Sequence, residues 1–149
     1  MLYGIMEQIK FMRLLGIDYG EKRIGLALSD ETFSLAFPHT VILNSKNVVE
    51  EIKKVCNENS VSGIVIGDSR DDKGKENEIM IEVRGFAKAL EEETKLTVFF
   101  EQEYLTSVEA HRISFFEQGR QRGKNIDASA ATLILQRYLD REKNKSNTQ

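Results

Sequence analysis

The chain holds little that would suit an extracellular or thiol-bound protein. Of its 149 residues only Cys56 is a cysteine, so no internal disulfide can form. A lone cysteine on the apolar side of a helical pattern reads as a small core residue in a reducing compartment. Histidine is nearly as scarce: His39 and His111 have no second imidazole or thiolate at metal-ligand spacing, which argues against zinc. His39 reads as a strand or edge residue and His111 as a helix-surface residue. No apolar run reaches the length of a membrane span, and Glu7 and Lys10 break the apolar pattern of the first twelve residues, unlike a signal peptide. A cytoplasmic protein with no membrane partner is expected. The chain also lacks an excess of positive charge: 21 basic against 24 acidic residues leave a net charge of −3, so any polyanion must be held by local patches.

What is present suffices for one domain. At 40% hydrophobic content and 149 residues the chain can bury a real core, and no repeat or interdomain linker divides it. The expected organisation is an extension over residues 1–12, a domain over 13–141 and a polar, frayed tail over 142–149.

The stretch LLGIDYGEKRIGLALSD carries the most information. Leu15 and Ile17 alternate with Gly16 and Asp18, and Ile24, Leu26 and Leu28 alternate with Gly25, Ala27 and Ser29, the period of two of paired strands around a Tyr19–Lys22 turn. The small residues on one face let another layer approach closely. Asp18 therefore sits on or beside a buried sheet, a costly place for an anion without a cation.

Residues 35–43 supply a third strand, with Pro38 tolerable at its start or on an edge. Val48, Val49, Ile52, Val55 and Cys56 predict a helix over 46–57, capped by Asn44 or Ser45. The run SGIVIG (62–67) reads as a central strand covered on both faces, followed by a polar loop over 68–75. Helical spacing resumes over 76–93, and Leu96, Val98 and Phe100 alternate as a further strand. Thr106 to Glu109 has the spacing of a capping box. A glycine-bracketed basic loop spans 117–125, and the last helix begins around Asp127. Phe99, Phe100, Phe115 and Phe116 read as core. Three meandering strands followed by helix–strand units predict an α/β, ribonuclease-H-like mixed sheet of five strands with helices on both faces.

Acids stand at three element ends: Asp18, Glu103 and Asp127. Carboxylates without imidazole or thiolate neighbours suit Mg²⁺ or Mn²⁺. Two such ions about 3.5–4 Å apart activate water and stabilise the leaving oxygen of a phosphodiester. Each acid also has a plainer reading: Asp18 as a turn residue, Glu103 as solvated beside Glu101, and Asp127 as a helix N-cap. The cap and ligand roles are compatible, because a helix N-terminus favours a carboxylate and attracts phosphate. Arg112, Arg120, Arg122 and Lys124 are candidates for a local basic surface that holds RNA backbone, or for a solvated loop.

GIDYGEKRIGLALSD, the IVIG strand with its loop, EYLTSVEA (103–110) and DASAATLILQRYLD (127–140) together resemble the YqgF family of ribonuclease-H-like proteins, from Met12 to about Asp140. That family is related to the RuvC Holliday-junction resolvases and is regarded as maturing the end of the small-subunit ribosomal RNA precursor. The resemblance implies a Mg²⁺- or Mn²⁺-dependent nuclease with Asp18, Glu103 and Asp127 as catalytic metal ligands. It matches Lys22 and Arg23 to the family's basic pair and Thr106 and Ser107 to its hydroxyl pair. Precursor rRNA, free or in ribosomal particles, is the implied partner, branched DNA the alternative substrate, and monomer or homodimer the implied state. Two departures stand out. The family's Asp-Glu-Arg is here Gln102-Glu103-Tyr104, which leaves open a catalytically weak RNA-binding or assembly factor. Its Gly-Leu-Pro is here Gly67-Asp68-Ser69, which adds an acid near the expected site. A phosphate-binding ATPase also begins with Asp-x-Gly, but it clasps nucleotide between two domains. The strand leading to Glu103 is expected two positions from that of Asp18, about 9–10 Å sideways.

Overall fold

Alternation in the first two apolar runs sorts their side chains into two separate cores, one on each side of a sheet. The computed structural model describes residues 12–68, 78–102 and 124–147. Its elements are β1 (Arg13–Asp18), β2 (Arg23–Ser29), β3 (Ala36–Leu43), α1 (Val48–Glu58), β4 (Val61–Asp68), α2 (Glu78–Thr94), β5 (Val98–Gln102) and α3 (Lys124–Asn147). The sheet has five strands in the order β3-β2-β1-β4-β5, the mixed α/β architecture expected. β1 pairs antiparallel with β2 and parallel with β4, β2 pairs antiparallel with β3, and β4 parallel with β5.

One face carries Leu15, Ile17, Ile24, Leu26, Ile64 and Ile66 against Val48, Ile52 and Cys56 of α1 and Met80, Val83, Phe86 and Leu90 of α2. Fully burying an aliphatic side chain such as Ile52 contributes about 1.5–3 kcal/mol, so this face is the main source of stability. The other face is thinner. Ala27, Val65 and Leu14 meet Ala131, Ile134, Leu135, Tyr138 and Leu139 of α3. The small residues allow α3 to lie very close: a Cβ added at Gly16 would stand 2.7 Å from Leu135 Cβ and 2.9 Å from the Ala131 carbonyl oxygen.

Several boundaries differ from the sequence reading. The N-cap of α1 is Asn47, with no side-chain capping bond, rather than Asn44 or Ser45; the Ser45 hydroxyl instead accepts the Asn47 N–H at 3.3 Å. β5 starts at Val98 because Lys95, with φ of 62°, turns the chain out of α2 before the strand begins. Phe99 and Phe100 are each 38% exposed and so are not core residues. α3 begins at Lys124, three residues before Asp127, and runs unbroken to Asn147 rather than fraying after Asp140. At the opposite edge β3 has its register broken by a bulge around His39, next to Pro38.

Candidate active site

The carboxyl ends of β1 and β4 lie side by side, and the chain leaves them in opposite directions, β1 toward β2 and β4 toward β5. Such a point in a sheet opens a crevice, the usual place for a ligand. Asp18 is the last residue of β1 and is half-buried. Since Leu15 and Ile17 face α1 and α2, alternation puts Asp18 on the α3 face with Leu14 and Gly16. Its partner on β2 is Gly25, and one step beyond the Ile17–Ile66 pair its neighbour on β4 is Gly67. Both flanking positions are glycines.

The turn after Asp18 is pinned from two sides. Tyr19 packs on Phe86 with ring centroids 4.9 Å apart, and its hydroxyl lies 3.5 Å from Glu82 Oε2. Asn44 donates its side-chain N–H to the Gly20 carbonyl at 2.9 Å and its backbone N–H to the Lys22 carbonyl at 2.9 Å. At Gly20 a Cβ would stand 2.4 Å from the Arg23 carbonyl oxygen, so the turn closes only with glycine there. Lys22 and Arg23 are consequently held exposed at the rim. Arg23, two residues before Gly25, shares the α3 face with Asp18.

Asp127 lies in the first turn of α3, as its fourth residue rather than its N-cap. Gln136 accepts the Ala36 N–H at 2.9 Å and donates to the Ser34 carbonyl at 2.9 Å, at the level where β1 starts. Leu135 Cβ and the Ala131 carbonyl oxygen both stand over Gly16 of β1. Lys124, expected in a basic loop, opens the helix instead. Glu103, Thr106, Ser107, His111, Arg112, Phe115, Phe116, Arg120 and Arg122 lie outside the described residues, as does the capping box. Asp68 ends β4 and is buried, 7% exposed; alternation places it with Ile64 and Ile66, on the opposite face from Asp18. Among the described residues no three acidic, cysteine or histidine side chains form a metal-holding group.

Sequence reasoning read Glu101 as a solvated acid beside Glu103. It is buried, level with Gly67 and hence with Asp18 across β4, and on the same face as Asp18. Arg141 Nη2 approaches its Oε2 to 2.6 Å as an ion pair. Burial pushes the Glu101 carboxyl above the usual range; Arg141, Arg137 and Lys145 pull it down only in part, and Glu142 adds to the rise. The signal available in the sequence was that Glu101 shares the β5 side of Phe99.

The likeness to known proteins covers nearly the whole domain. A family model described as RuvX, Holliday junction resolvase, matches residues 12–141. A protein of Thermoanaerobacter pseudethanolicus named "Putative pre-16S rRNA nuclease" is 37% identical over 139 residues, covering 90% of this chain and 100% of that one. A protein of the same name from Carboxydothermus hydrogenoformans is 41% identical over 133 residues, covering 87% and 96%. Among solved structures, T. thermophilus RuvC in complex with a Holliday junction substrate superposes with a TM-score of 0.57 at 15% identity, covering 89% of this chain and 96% of that one, a likeness of fold.

Proposed function

This chain belongs to the RuvX family, and from that membership we propose that it is a divalent-metal-dependent nuclease that processes the 5′ end of the small-subunit rRNA precursor. What supports this reading is Asp18 at the carboxyl end of β1, beside the crevice, in a chain whose family match spans residues 12–141. Glu103 follows directly on β5 and is the third acid of the proposed set.

The donor chemistry fits a hard cation, because Asp18 stands at the crevice between two glycines and the set is oxygen alone. Asp18, Glu103 and Asp127 would hold Mg²⁺ or Mn²⁺, which supplies activation of water and charge stabilisation at the phosphorus. The protein's own residues do the rest. Lys22 and Arg23, fixed at the rim by Asn44, donate to phosphate oxygens and set the strand's register. The α3 N-terminus adds a favourable field for the same phosphate. Thr106, Ser107, Arg120, Arg122 and Lys124 extend the contact to neighbouring phosphates. Among the described residues no helix is long and apolar enough to cross a membrane; the RNA partner proposed is a cytoplasmic one.

The test is cleavage of a precursor rRNA fragment in Mn²⁺ by Asp18→Asn, Glu103→Gln and Asp127→Asn. Each is expected to lose cleavage while keeping its circular dichroism spectrum, and unchanged cleavage in all three would reject the mechanism. Gln102 and Tyr104 favour one second reading, a non-catalytic RNA-binding factor. If Mn²⁺ neither binds saturably nor raises the melting temperature, that reading replaces the first.

A further inference from the structure

The end of the sheet away from Asp18 carries apolar surface that is open to solvent. Phe33 is 39% exposed, Leu35 54% and Phe37 50%. Beside them lies a cavity of about 450 Å³ whose walls include Arg13, Leu28, Thr32, Phe37, Pro38 and His39.

The turn that presents these side chains is fixed by Asp30. Its carboxylate accepts the Ser34 N–H at 2.8 Å, the Leu35 N–H at 3.0 Å and the Thr32 hydroxyl at 2.5 Å, and its carbonyl accepts the Phe33 N–H at 3.3 Å. Within this turn Phe33 has a left-handed backbone, with φ of 57°, a costly conformation for a bulky residue. The Asp30 N–H donates to the Leu35 carbonyl at 2.9 Å, which carries the pairing of β2 with β3 one step further, so Leu35 and Phe37 project to the same side. Large apolar side chains held outward beside a cavity form a patch of the kind that marks a binding surface.

Residues 1–11, which lie outside the described residues, join the fold at this place. Arg13 opens β1 and lines the cavity, and its guanidinium lies 3.4 Å from Glu31 of the same turn. Met12 is 41% exposed. From β1 to β3 is two strand spacings, roughly 9–10 Å. Three residues of extended chain span about 10 Å, so Ile9 and the residues before it can reach Phe37. Their sequence suits the place: Leu2, Ile5, Met6 and Ile9 have the spacing that puts apolar groups on one side of a helix, with Glu7 and Lys10 off that side. The family match begins at residue 12, so this segment lies outside the part shared with relatives.

We propose that the occupant of this groove is the chain's own segment 1–11, whose Ile5, Met6 and Ile9 cover Phe33, Leu35 and Phe37. The groove shares no residue with the proposed metal set, so this interaction stands or falls apart from the nuclease reading.

The chain has no tryptophan, and Phe37→Trp therefore places a single indole reporter in the groove of the full chain. Its emission is expected to be that of a shielded indole. Adding Ile5→Asp/Ile9→Asp is expected to move the emission to longer wavelength and to raise iodide quenching severalfold, equally at every protein concentration. Glu7→Gln, off the apolar side, is expected to leave both unchanged. Circular dichroism melting checks that each variant is folded. A second measurement keeps the Phe37 ring: Ile9→Cys/Leu35→Cys, treated with a short bifunctional maleimide while the buried Cys56 stays unreactive, is expected to cross-link within one chain. Emission of a fully exposed indole in Phe37→Trp, or emission unmoved by Ile5→Asp/Ile9→Asp, overturns the proposal. Shielding that fades on dilution, or cross-links only between chains, assigns the groove to a second copy and likewise overturns it.

Discussion

Replacing Gly16 by alanine is the sharpest probe of how the last helix meets the sheet. The added Cβ would stand 2.7 Å from Leu135 Cβ and 2.9 Å from the Ala131 carbonyl oxygen. Neither neighbour is the free end of a flexible side chain, so the contact can be relieved only by moving backbone. Reaching an ordinary contact of 3.4 Å requires about 0.7 Å of separation between α3 and β1. A gap of that size forfeits a quarter to a half of the dispersion attraction of the atoms that part. The whole thin core on this face is involved, because Ala27, Val65, Ile134 and Leu135 pack there. Overpacking of this kind costs about 1–3 kcal/mol. For a chain of this length that corresponds to a fall of roughly 2–12 °C in melting temperature. Calorimetry or circular dichroism melting measures it, with Gly63→Ala as the control. At Gly63 the nearest atom to an added Cβ is Leu14 Cδ2 at 3.0 Å, a side-chain tip that can swing aside. Gly63→Ala should therefore melt within a few degrees of the wild type. If Gly16→Ala melts as the wild type does, α3 does not rest on β1 as described.

Two further outcomes are expected. Burial pushes the Cys56 thiol up to about 11, so at pH 8 it should resist alkylation in the folded protein and react promptly in denaturant; rapid labelling of the native protein would show that α1 does not cover it. Burial acts to raise the Asp30 carboxyl, but the Thr32 hydroxyl and the backbone N–H groups of Leu35 and Ser34 outweigh it and hold the group below its ordinary value of 3.8. Its stabilisation is therefore complete above that pH and lost as pH falls through the lower, folded value. Asp30→Asn should melt lower than the wild type at pH 7, with the difference shrinking below about pH 4. A constant difference across pH would sink that account.

Periodicity served well wherever a face is buried. Leu15, Ile17, Ile24, Leu26 and Leu28 pointed to one core, and the glycines and alanines between them announced the close layer that α3 supplies. It failed where local backbone geometry overrides pattern. Leu96 alternates with Val98 and packs against the core, yet the turn at Lys95 keeps it out of the strand. The cap of α1 was misplaced because Asn44 spends its side chain on Gly20 and Ser45 on the N–H of Asn47. At the site, Asp18 was legible as an acid ending a buried strand. The standing of Glu101 was not, since whether an edge-strand carboxylate is solvated or buried depends on a helix residue forty positions later. Asp68 shows the converse: an added acid near the expected site in sequence and the start of an expected loop, it is instead the last residue of β4, and the pleat turns it to the other face.

The edge at β3 has a consequence for assembly. A sheet recruits another chain through a straight row of unsatisfied amides, and here that row is interrupted, since Pro38 has no amide hydrogen and the adjoining residue breaks step with β2. Lateral growth of the sheet into fibrils or strand-exchanged oligomers is thus blocked on that side. Any self-association must use side chains rather than a shared backbone ladder there.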